Sequence, residues 1–145
     1  MHKGFYASGF IYHIRSQQIL LQQQITADNN SEWSLFGVNG SGNQTAEEVF
    51  KKAIQKLLHI ELKPKAVLPI YKYFLEEMKK DHYICYAKIS KLEKFPATKK
   101  TNFGWFSFKQ IQKLNLSEQT KHDLVVGQRV INSALRKSLG QQTIE

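Results

Sequence analysis

The order of patterned segments predicts an α/β (α+β) chain: a mixed β-sheet sandwiched between helices. Three observations lead there. Two β-patterned runs open the chain across a short polar turn, a helical stretch follows a glycine-rich segment, and further strand-like runs precede a second, longer helical stretch. The 145 residues match one domain, 1–145, large enough to bury about two-thirds of its unfolded surface without disulfides or a structural metal.

Residues 5–14 and 19–25 alternate as strands around the turn Arg15-Ser-Gln-Gln18 and read as a hairpin. Thr26 to Glu32 is a polar loop, Trp33 to Phe36 a short apolar piece, and Gly37 to Asn43 a glycine-rich turn. Such a turn leading into a helix suits a phosphate or a metal-phosphate. Thr45 with Glu48 forms a capping box that starts a helix near Ala46, running to about Leu58. Its apolar positions Ala46, Val49, Phe50, Ala53, Ile54, Leu57 and Leu58 cover about half the circumference, wider than the ~100° stripe a core-facing helix needs. Ala66 to Phe74 and His82 to Ile89 are strands around a charged tip, Glu76 to Asp81. Lys91 to Asn102, with Pro96 and four lysines, is a loop; Phe103 to Phe108 is an aromatic strand and Lys109 to Leu114 a turn or short helix. Ser117 to Leu139 is a long terminal helix ending before Gly140, with Leu124, Val125, Ile131, Ala134 and Leu135 apolar.

Twenty-one Lys and Arg against twelve Asp and Glu give a formal charge of +9, which favours anionic partners: a nucleotide-like or other phosphate-bearing molecule, RNA, or an acidic protein surface. No RNA-binding signature is present, so RNA rests on charge alone. Cys85, inside an apolar run, reads as a buried thiol in a reducing compartment. No stretch approaches the roughly 20 apolar residues of a membrane helix and the start of the chain lacks a signal-peptide layout, so a cytoplasmic location without membrane partners is expected. His2, His13, His59, His82 and His122 form no metal-ligand spacing.

Ala7-Ser-Gly-Phe-Ile, Gln18-Ile-Leu-Leu-Gln-Gln, Trp33-Ser-Leu-Phe-Gly-Val and Gly104-Trp-Phe-Ser-Phe-Lys-Gln-Ile, in that order, resemble segments of the Nudix hydrolase superfamily. The resemblance spans nearly the whole chain and implies a Nudix-like α/β/α sandwich and cleavage of nucleoside diphosphates linked to another group. The family signature runs Gly, five residues, Glu, seven residues, then Arg-Glu, an apolar residue, any residue, Glu-Glu, any residue, Gly and an apolar residue. Laid on this chain without gaps, its first Gly falls on Val38, beside Gly37, and its first Glu on Gln44. Lys52 takes the Arg position, Ala53 the following Glu, Lys56 and Leu57 the Glu-Glu pair, and His59 the last Gly; Ile54 and Ile60 keep the apolar positions.

In the family those glutamates hold a divalent cation, Mg or Mn, which activates water and neutralises the leaving group. Ala53 and Leu57 have no ligand atoms, and the apolar stripe is wide because they join it. A lysine at position 56 would repel a cation 4 Å away by about 4 kcal/mol per unit charge, an upper bound for so flexible a side chain. The degenerate Nudix box therefore implies a pseudoenzyme-like protein, hydrolytically weak or inactive and needing no cofactor. Phosphate would meet Lys52 and Lys56 directly, with Trp33, Phe36, Gly37 and Trp105 completing the ligand site. Trp33, Phe36, Trp105 and Phe106 are either a base-stacking surface or, as aromatics in short strands more often are, core. Gln44 opposite Lys52 would keep the family's loop bridge as a hydrogen bond.

Two alternatives stand beside this reading. One is an active Mg- or Mn-dependent hydrolase whose carboxylates come from elsewhere: Glu47 and Glu48, the candidate catalytic residues, or Glu32 and Asp28. Helix capping and dipole compensation already account for Glu47 and Glu48. The other alternative is a basic module that docks RNA or protein.

Overall fold

The computed structural model describes residues 4–25 and 31–143. The elements are β1 (Gly4–His13), β2 (Gln18–Gln24), β3 (Trp33–Ser34), β4 (Phe36–Ser41), α1 (Ala46–Leu58), β5 (Val67–Leu75), β6 (Lys80–Ile89), β7 (Thr101–Ser107), α2 (Phe108–Ile111) and α3 (Glu118–Thr143). The first hairpin, α1 and the β5/β6 pair stand where the sequence pattern places them, giving a mixed α+β architecture.

All seven strands join one mixed sheet, ordered β3-β2-β1-β6-β5, with β4 added to β1 and β7 to β2. β1 is its spine. One edge runs parallel to β6 from Phe5–Asp81 to His13–Ile89. The other edge is shared: residues 4–9 pair antiparallel with β4, and Ile11 to His13 pair with β2. β2 and β4 thus diverge from a common partner, and a crevice opens between them.

Side chains alternate across the sheet because a strand's period is two. Ile11, Leu20, Phe36, Cys85 and Ala87 pack with Phe50, Ile54 and Leu58 of α1. Phe10, Tyr12, Ile19, Leu21, Ile84 and Tyr86 face the other way, onto Ile111, Leu124 and Ile131 of α2 and α3. Helices therefore cover both faces. Thr45 caps α1, its hydroxyl accepting from Glu48 N–H at 3.2 Å, while the Glu48 carboxylate stays in solvent and leaves the reciprocal half of the box unmade. The full capping box is at α2, between Ser107 and Gln110.

Four boundaries differ from the sequence reading. The aromatic strand is Thr101–Ser107, taking in two residues read as loop and leaving Phe108 to begin α2 behind the Ser107 cap. Residues 37–41, read as part of a turn, are a strand, since six consecutive register pairs with β1 outweigh the turn tendency of two glycines. Gly37 serves close packing there: a Cβ would overlap the Tyr6 hydroxyl. α3 continues through Gly140 to Thr143, because a helical glycine costs only about 1 kcal/mol relative to alanine. The charged tip of the β5/β6 hairpin narrows to residues 76–79, with Lys79 in the left-handed region at φ 54°. Asp28, most of the loop that carries it, and His2 fall outside the described residues.

Candidate functional site

In the crevice between β2 and β4, facing α1, lies a niche of about 80 Å³ lined by Gln22, Phe36, Gly37, Phe50, Ala53, Ile54 and Leu57. Its lining offers one polar side chain, and Gln22 is committed: its amide nitrogen donates to Leu35 O at 3.1 Å. The volume suits one or two water molecules and no nucleotide. On the same side of the sheet, beyond the C-terminal end of α1, is a second cavity of about 450 Å³. Ile60, Leu62, Ala66, Ile89 and Phe95 make its apolar surface, and Lys63, Lys65, Lys88 and Lys91 stand around it.

The opposite face of the sheet buries a polar cluster. Ser8 Oγ and His82 Nε2 lie 2.7 Å apart, and the Tyr71 hydroxyl donates to Asp123 Oδ1 at 2.5 Å, an oxygen that also accepts from Gln119 Nε2 at 2.9 Å. Burial lowers the His82 pKa to about 4, so the ring is neutral at pH 7. Burial also raises the Asp123 carboxyl above its ordinary value, against the Tyr71 and Gln119 hydrogen bonds that lower it. Ser, His and Asp are all present, yet the arrangement is not a nucleophilic triad. Asp123 is bonded to Tyr71 rather than to His82, whose Nδ1 has no partner among the described residues, and Ser8 is only 4% exposed.

Neither a protein-family model nor a curated protein matches the chain. Solved structures do. The NUDIX domain of Shewanella oneidensis NrtR, crystallised with ADP ribose, is similar over 88% of this chain and 86% of its own at 12% identity and a TM-score of 0.62. A binary complex of a C. elegans Ap4A hydrolase is similar over 88% and 98% at 12% identity, TM-score 0.64. A mutT/nudix family protein from Listeria innocua is similar over 94% and 97% at 15% identity, TM-score 0.63. This chain has the Nudix fold. At such identities the likeness is one of architecture, and chemistry must be read from the side chains.

The side chains of the niche lined by Ala53 and Leu57 do not fit a divalent cation. A hard cation needs several oxygen ligands at once. Ala53 and Leu57 provide none, and among the described residues no group of three or more His, Cys, Asp or Glu comes together. Glu47, in the first turn of α1, is half-buried and its charge helps raise the pKa of buried Cys85, after the larger effect of burial itself. Glu48 and Glu32 are exposed.

Phe36, Gly37, Ala53 and Leu57 meet at the niche. Lys52 and Lys56 do not line it; both are exposed on α1. The four aromatics divide between the two faces. Trp33 packs edge-on against Phe106, centroids 4.9 Å apart, on the α2/α3 side. Phe36 and Trp105 belong to the α1 side, so no single cleft collects all four rings. Trp105 Nε1 donates to Glu93 O at 2.7 Å, fastening the β6–β7 loop. Gln44 Oε1 accepts from Ser41 N–H at 3.4 Å and closes the turn before α1 instead of reaching Lys52. The lysines around the larger cavity escaped the sequence reading because they come from separate segments; their one visible signal was lysine density at 63–65 and 88–94.

Proposed function

We propose that this chain is a binding protein built on the Nudix fold, with metal-dependent hydrolysis weak or lost, and that its ligand carries phosphate. One observation carries the reading: Ala53 and Leu57, which the resemblance sets at metal-ligand positions, line the niche between β2, β4 and α1 with a methyl and an isobutyl group. Without oxygen ligands, no cation is held to polarise a phosphoanhydride or to lower the pKa of an attacking water. The phosphate-bearing ligand is supported by the +9 charge, and by fold neighbours that include one crystallised with ADP ribose and an Ap4A hydrolase.

The test is turnover. The purified protein is incubated with nucleoside triphosphates, nucleotide sugars, dinucleoside polyphosphates and ADP-ribose in Mg or Mn, and products are separated by chromatography. Binding of the same compounds is measured by calorimetry. Binding without turnover is expected. Metal-dependent turnover that disappears in a Glu47→Gln/Glu48→Gln double variant would establish substitute carboxylates and overturn the proposal.

A further inference from the structure

We infer that the ligand site is the cavity of about 450 Å³ beyond the C-terminal end of α1, and that it takes a small organic phosphate whose apolar or aromatic body contacts the floor while its phosphates meet lysines. The inference rests on the binding-protein reading and replaces the α1 lysines as the phosphate contacts. The cavity lies within the 300–1,000 Å³ typical of small-molecule sites, whereas the niche at Ala53 and Leu57 is several times smaller. Ligand sites of this kind pair an apolar floor with a few polar groups that fix orientation. Here the floor is Ile60, Leu62, Ala66, Ile89 and Phe95.

The charges favour an anion. Lys63, Lys65, Lys88 and Lys91 stand against Glu61 and Glu93, leaving two positive charges in excess, and among the described residues none of these six side chains is in an ion pair. The lysines, all exposed, come from the α1–β5 connection, the end of β6 and the loop after it, so they border the cavity from different segments rather than from one face of a helix.

The walls are preformed. Leu62 N–H donates to Gln55 Oε1 at 2.9 Å, and Ala66 N–H to Lys63 O at 3.0 Å, which fixes the α1–β5 connection. Lys88 N–H bonds Ala66 O at 2.9 Å, and His13 Nε2 lies 3.3 Å from Ser90 O. The Trp105 bond to Glu93 O holds the third wall. A cavity already shaped before binding avoids much of the ordering cost that weakens loop-built sites.

The probes are ATP, ADP-ribose and inorganic pyrophosphate, titrated calorimetrically into the wild-type protein and two variants, with circular dichroism and thermal melting confirming that each variant folds. Lys63→Glu/Lys88→Glu reverses two cavity charges at exposed positions, and Lys52→Glu/Lys56→Glu makes the same change in net charge on α1. Ile14→Asp, at a lining residue 48% exposed, places a carboxylate at the cavity edge and keeps the test open if the double variant misfolds. Expected is binding of at least one organic phosphate, weakened tenfold or more by Lys63→Glu/Lys88→Glu and by Ile14→Asp, with the α1 variant within about threefold of wild type. Pyrophosphate should bind at least tenfold more weakly than the best organic phosphate. Organic phosphate binding unaffected by the cavity variants, or abolished by the α1 variant alone, would overturn the assigned site and leave the binding reading standing. Pyrophosphate binding as tight as any organic phosphate would overturn the role of the apolar floor. Failure of all three probes to bind would remove the phosphate-binding reading itself, and this site with it.

Discussion

Lowering the pH from 7 should destabilise this protein through His82. The ring is 7% exposed, lies 2.7 Å from Ser8 Oγ, and sits between the rings of Tyr6 and Tyr73, each with its centroid 4.8 Å away. Burial lowers its pKa from 6.5 to about 4. Between those values the unfolded chain binds more protons than the folded one, so stability rises with pH across the window and falls as pH is lowered through it. The difference of about 2.5 pH units amounts to about 3 kcal/mol at 1.36 kcal/mol per unit, most of it lost by pH 5. Asp123 acts in the opposite direction: its raised pKa means that protonation in the folded state adds stability as pH falls. The His82 contribution is isolated by comparing wild type with His82→Phe, which cannot titrate. Urea unfolding followed by tryptophan fluorescence at pH 7.5, 6, 5 and 4.5 should show a wild-type advantage at high pH that shrinks by about 2 to 3 kcal/mol toward pH 4.5. Parallel losses in the two proteins, or an NMR titration of His82 with its midpoint near 6.5, would refute the reasoning.

Gly9 lies on β1 where β6 passes closest, and an added Cβ would overlap the Cys85 carbonyl, which is backbone on a paired strand and cannot step aside; Gly9→Ala should destabilise by about 3 kcal/mol in the same unfolding assay. Cys85, 1% exposed and with its thiol pKa raised by burial, should react with a thiol reagent at pH 8 only as fast as the protein opens, and urea at the unfolding midpoint should accelerate labelling by orders of magnitude. Trp105→Phe keeps the ring against the α1-side core but removes the donor to Glu93 O; it should cost about 1 kcal/mol and raise proteolysis within residues 91–100 more than elsewhere.

Legibility differed between periodic and non-periodic features. The helix Ala46–Leu58 was readable to both ends because Thr45 and the apolar spacing are local signals. β4 was not, since Gly37 and Gly40 carry turn chemistry in the sequence, and only pairing with β1, more than thirty residues away in places, makes them a strand. The niche was partly legible for the same reason. Spacing put Ala53 and Leu57 on one apolar side, and they line the niche together. Spacing was silent on Trp33 and Trp105, which end on opposite faces because β3 and β7 both attach to β2 but present different residues to each side.

The width of the apolar stripe on α1 links these observations. In a helix serving only the core, the stripe would stop at Ala46, Val49, Phe50, Ile54 and Leu58, the positions whose side chains are closed off from solvent. Ala53 is half-buried and Leu57 is 47% exposed, so the extra width does not pack a core. It faces a crevice that β2 and β4 create simply by sharing β1, a feature of the topology that persists whatever side chains line it. A carboxylate-lined crevice would repel phosphate unless a cation bridged the two, whereas an apolar crevice of this size gives phosphate nothing to bind. On the binding reading proposed above, the positive charge acts elsewhere. The cavity past the end of α1, on this side of the sheet, combines four bordering lysines with a volume that suits an organic phosphate.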